Sequence, residues 1–166
     1  MPLIFRMISS RVRWYKEGFP SWVGPNDIPA DPLADLRTQS NALSVWLVDD
    51  DKANLDQIAA AIASTRGSID KLDYLLFDSQ VLSESNVKAE TSKGTTPDDQ
   101  VNGWRLDIIE ISGLKLVALT RAILTDKYET GRVLPKRIQE LVTEAVNSGR
   151  IDRERLTKRV RQGIGS

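Results

Sequence analysis

Between Leu43 and Ser64 the chain reads LSVWLVDDDKANLDQIAAAIAS, an apolar run handed directly to an amphipathic segment. ALSVWLVD has the β-branched and aromatic content of a buried strand. Leu55, Ile58, Ala59 and Ile62 then recur at i, i+3, i+4 and i+7, a helix face that closes at Gly67. A strand and a helix of this kind are stable only when their apolar sides are buried together, so the chain must build a sheet covered by helices. KLDYLLFD, residues 71–78, is a second run of strand length. WRLDIIEISGLKLVALT reads as a β-hairpin about Ser112 and Gly113, setting Glu110 opposite Lys115 and Ile109 opposite Leu116. Its periodicity also admits a helix from Leu114 to Tyr128.

The two ends differ in character. RVRWYKEGFPSWVGP sets Trp14, Tyr15, Phe19 and Trp22 among Arg11, Arg13 and Lys16. Arg11 to Lys16 suits a strand, and Gly18, Pro20, Gly24 and Pro25 punctuate the rest as loop. Asp31 suits the start of a short helical turn. At the other end, LPKRIQELVTEAVNSG places Leu134, Ile138, Leu141, Val142 and Ala145 on one face, with Pro135 in the first turn and Gly149 as the stop. Asp152 then starts a second short helix carrying Leu156 and Val160. Between these ends, residues 83–103 turn polar and read as a long exposed loop.

These segments predict an α+β fold: a small mixed or antiparallel sheet of about four strands, packed by three or four helices, with a helical C-terminal tail. The predicted organisation is an aromatic and basic N-terminal arm (1–30), an α+β core (31–130) and a C-terminal helical pair (131–166). No apolar run approaches the ~20 residues that span a bilayer, and the N-terminus lacks the pattern of a secretory signal, so a soluble cytoplasmic protein of bacterial type is expected.

Two zeros in the composition exclude much chemistry. The 166 residues contain no Cys and no His. Disulfides, thiolate nucleophiles, cysteine zinc sites, imidazole ligands and Ser–His catalysis are therefore absent. The formal net charge is zero, so no global field draws the chain to nucleic acid or membrane. The charge is uneven, however, with Arg150, Arg153, Arg155, Lys158, Arg159 and Arg161 in the tail.

VWLVDDDKANLDQIA resembles the first strand of a response-regulator receiver domain. LDYLLFDSQ resembles that family's phosphoacceptor strand, VALT its hydroxyl-bearing strand, and LPKR its lysine beside a proline. The resemblance implies Mg²⁺ at Asp49 and Asp50, phosphate on Asp78, and Thr120 and Lys136 as its readers. The order of pieces matches, but the stretch from Asp50 to Asp78 holds one helix and a short turn where a receiver has a further strand and helix. The residues alone also read as structure: Asp49, Asp50 and Asp51 lie where a helix cap is needed. The Asp98–Asp99 pair suits a solvated turn as well as a hard cation. Asp107 and Glu110 stand at odd spacing on one strand and face opposite ways.

The aromatic and basic arm suits three roles: packing on the core, a protein interface, or base stacking with phosphate contacts. The C-terminal pair loosely resembles a helix-turn-helix with a basic second helix. The sequence thus predicts a small non-catalytic protein, without cofactor, that acts as an accessory, regulatory or immunity-like component. Its partner would be another protein or a second copy, bound through Arg11, Arg13, Trp14, Tyr15, Phe19, Trp22, Arg155 and Arg159. A nucleic-acid partner for the arm and tail, and the receiver-like metal site at Asp49, Asp50 and Asp78, are the alternatives.

Overall fold

The strand at the centre of the sheet is the first in the chain. In the computed structural model, which describes residues 1–14 and 18–165, β1 (Leu3–Ile8) is flanked on one side by β2 (Leu43–Val48) and on the other by β3 (Leu72–Asp78). Leu3 stands opposite both Val48 and Asp78, and Ile8 opposite Asp73. β4 (Lys88–Thr91), β5 (Arg105–Ile109) and β6 (Tyr128–Val133) complete a sheet of order β4-β5-β2-β1-β3-β6, antiparallel throughout. The expected α+β class holds, with six strands in place of about four.

Both faces of the sheet are covered, which is why β2 and β3 read as near-continuous apolar runs. Phe5, Val48, Leu72 and Leu76 pack on one face against α2 (Leu55–Ser64) and α6 (Pro135–Asn147). Ile151, Leu156 and Val160 of the C-terminal tail join the same core, the last from α7 (Lys158–Gly163). Ile4, Ile8, Val45, Leu75, Phe77 and Ile108 face the other way. They meet Leu36, next after α1 (Ala30–Asp35), Val81 of α3 (Gln80–Glu84), and Leu119 and Ile123 of α5 (Gly113–Thr125). With α4 (Asp99–Asn102) the described residues form seven helices, more than the three or four expected, and two 3₁₀ turns.

Several local expectations are corrected. The hairpin about Ser112 and Gly113 is instead the start of α5: Glu110 adopts φ +55, ending β5, and the Ser112 hydroxyl accepts from Lys115 N at 3.3 Å as an N-cap. Arg11 to Arg13 form a 3₁₀ turn where a strand was expected; Tyr15 and Lys16 lie outside the described residues. α2 begins after Asn54, not at the aspartates, and Asp31 lies inside the first turn of α1, whose cap is Pro29. The polar stretch 83–103 contains an exposed edge strand, β4, and α4, and it is tied down between them. Asn102 accepts from Thr96 N and Thr96 Oγ1, both at 2.8 Å, and donates to Thr96 O at 2.9 Å. Gly94 lies so close that a Cβ there would sit 2.5 Å from Asn102 Oδ1, so only glycine lets the loop close over that side chain.

Candidate functional site

Two buried carboxylates root the N-terminal arm. Asp35, at the end of α1, accepts from Ser9 N at 2.8 Å, from the Ser9 hydroxyl, and from Trp14 Nε1 at 3.0 Å. The Arg13 guanidinium approaches it to 3.9 Å. Asp73, at the start of β3, accepts from Arg132 Nε at 2.6 Å, Arg132 Nη2 at 2.8 Å and Arg11 N at 3.2 Å. The Arg132 hydrogen bonds, backed by the Arg11 N–H and by the nearby charges of Arg132 and Lys71, hold the Asp73 carboxyl below the usual carboxylate range, against the effect of burial. Burying an acid is costly unless it is bonded, and here the bonding groups come from the arm and from β6.

The arm residues consequently divide. Trp14 is only 3% exposed, and its ring meets Tyr128 at 6.0 Å between centroids. Arg11 is exposed and Arg13 half-buried. Phe19 is half-buried under the Arg121 guanidinium, 4.9 Å from its ring centroid, and Arg121 Nη1 also donates to Asp27 O at 2.6 Å. This clamp fixes the segment to α5. Trp22 remains 69% exposed on a turn closed by Val23 N to Pro20 O at 3.0 Å, and Val12 is 81% exposed. Tyr15 lies outside the described residues.

The acids of the resemblance gather at one end of the sheet without converging on a common centre. β2 and β3 run the same way and deliver Asp49, Asp50 and Asp78 to the same end, but β1 lies between them. Asp50 Oδ2 bonds the Met1 amine at 2.9 Å and raises its pKa. Asp78 Oδ1 accepts from Gln80 N at 2.8 Å, Asp51 Oδ1 from Ala53 N at 3.0 Å, and Asp49 N donates to Asn54 Oδ1 at 3.0 Å. Thr120 is fully buried in α5, its hydroxyl donating to Leu116 O, and Lys136 lies in the first turn of α6. Among the described residues no group of three or more His, Cys, Asp or Glu is placed to hold a metal ion.

In the tail, Arg155 is committed: it pairs with Asp99 at 3.2 Å and donates to Thr96 O at 3.1 Å, bracing the Asn102 loop. Arg159 is exposed and, among the described residues, without an ion pair. Asp98 caps α4 by accepting from Gln100 N and Val101 N. Asp107 meets Ser44 and Arg105 across β2 and β5.

The architecture is that of a fully antiparallel sheet enclosed between two helical layers. No protein-family model, curated protein or solved structure significantly matches this chain. No described helix is long and apolar enough to cross a membrane. Sequence reasoning missed Asp35 and Asp73. The only available signal was that each acid sits inside an apolar run, in PLADL and KLDYLL.

Proposed function

We propose that this protein is a cytoplasmic accessory or regulatory component that binds a protein partner through its N-terminal arm, with Trp22 as the anchor. The observation that carries this reading is the contrast within the arm. Trp14 is bonded into the core and Phe19 is clamped under Arg121, yet Trp22 stands exposed on a turn that these contacts hold in place. A large aromatic presented on an ordered support loses little entropy on binding, which favours tight association. Val12 and Arg11, both exposed, supply an apolar contact and a charged one on the same arm.

A photoreactive amino acid placed at position 22, in cells that make the protein, is expected to give one discrete adduct. The same probe at position 158 in the tail serves as the reference. An adduct no stronger at 22 than at 158, together with co-purification unchanged by Trp22→Ala, would overturn the reading. Light scattering distinguishes a second copy of the chain from a different protein.

A further inference from the structure

The end of the sheet away from Asp49, Asp50 and Asp78 gathers several cations. There the last residues of β1, the first of β3, the C-terminal end of α1 and the turn after α2 surround a cleft of about 480 Å³. Four cations line it, Arg6, Arg37, Arg66 and Lys71, together with three acids, Asp35, Asp70 and Asp73. By count the cleft is nearly neutral, but the partners of each group decide its character.

Two of the acids are already engaged: Asp35 by Ser9, Trp14 and Arg13, and Asp73 by Arg132 and Arg11 N. None of the four cations has an ion-pair partner among the described residues. Arg6, half-buried like Arg66, bonds only carbonyls: Ser44 O at 2.8 Å, Asp35 O at 3.4 Å and Arg37 O at 3.4 Å. That uses three of its five N–H donors. Arg66 likewise bonds only carbonyls, those of Asp70 and Lys71, through Nη1. Arg37 and Lys71 make no side-chain bond among the described residues and are exposed at the rim. A part-buried guanidinium that no carboxylate bonds directly is costly. Asp35 acts on Arg6 only through space and is itself engaged by Ser9, Trp14 and Arg13, so an anion in the cleft would supply the direct partner.

We propose that this cleft binds a small phosphate monoester, its phosphoryl group held by Arg6, Arg37, Arg66 and Lys71 and its organic part resting on Met7 and Ala34. A phosphoryl group carries about −1.5 to −2 charges and three acceptor oxygens at neutral pH, which matches several unpaired cations. A monocarboxylate would occupy a single fork. The volume lies in the range of small-molecule sites, about 300–1,000 Å³. Met7 is 39% exposed beside the cations and offers an apolar wall. The Asp70 carboxylate, exposed on the rim and bonded only by the Ser68 hydroxyl at 3.4 Å, repels a polyanionic strand running past.

The test is titration calorimetry on the full chain with inorganic phosphate, glycerol phosphate, glycerol and a short single-stranded oligonucleotide. Glycerol phosphate is expected to bind more tightly than inorganic phosphate and to raise the melting temperature, and glycerol to give no heat. Arg37→Ala/Lys71→Ala removes two exposed side chains, so the fold is kept, and it is expected to weaken binding about tenfold or more. Lys158→Ala/Arg159→Ala, which removes two exposed cations of the tail, is expected to leave binding unchanged. No heat from either phosphate compound overturns the proposal, as does equal weakening by both double variants. Oligonucleotide binding tighter than glycerol phosphate and dependent on Arg37 and Lys71 overturns the small-ligand assignment.

Discussion

Trp14 Nε1 donates to Asp35 Oδ2 at 3.0 Å, joining an aromatic of the N-terminal arm to a carboxylate with no solvent-exposed side-chain surface. The same carboxylate receives Ser9, so one acid holds the chain where it leaves the central strand. Asp35→Ala should therefore destabilise the protein by about 2–4 kcal/mol, because the Ser9 and Trp14 donors are left unpaired. Trp14→Phe keeps most of the burial and loses one hydrogen bond, so about 1 kcal/mol is expected. Urea unfolding followed by circular dichroism measures both, and equal costs would contradict the assignment.

Asp73 sets the response to acid. Its pKa in the folded chain is lowered, chiefly by the Arg132 hydrogen bonds, so its contribution is fully present above the unfolded value of about 3.9. That contribution is lost as pH falls from there through the depressed folded value. Asp73→Asn should lower stability at neutral pH and flatten the stability curve below about pH 4. Thermal melts of both chains across that range give the comparison.

Gly131 of β6 lies under Tyr74, where a Cβ would overlap the phenol ring. Tyr74 cannot easily withdraw, since it stacks on Phe5 at 5.4 Å between centroids. Gly131→Ala should cost about 1–3 kcal/mol through overpacking. Adding Tyr74→Leu should recover part of that loss, so the pair will be non-additive in a double-mutant cycle.

Asn102 organises residues 92–98 through three hydrogen bonds to Thr96. Asn102→Ala should accelerate hydrogen exchange at the Thr96 amide at least tenfold, with a stability loss of about 1–3 kcal/mol. Unchanged protection at Thr96 would show that Arg155 alone holds the loop.

How legible these features were depended on burial. β2, α2, β3 and α6 lie near their expected positions because each carries a one-period apolar pattern into the core. β1 was hidden by Arg6, whose guanidinium is bonded by backbone carbonyls. β4, KAET, is fully exposed, and β6, YETGRV, holds a glycine for the sake of Tyr74, so neither advertises a strand. In GLKLVALTRAILT the apolar residues satisfy both periods; the Ser112 cap decides for helix. Asp35 and Asp73 act through groups far away in sequence, and no local pattern reports that.

The position of β1 has a consequence for how the molecule forms. Without it the sheet is two separate pieces, β4-β5-β2 and β3-β6. β1 is made before both of its partners: one edge can pair once Val48 is made, and the other waits for residues up to Asp78. Assembly is thus governed by non-local closure, which slows folding relative to neighbour-to-neighbour hairpins. Until the strand is seated, four edges, one each of β2 and β3 and both of β1, stand open to a wrong neighbour. The apolar segment Leu3–Ile8 is the piece that makes the two halves a single body.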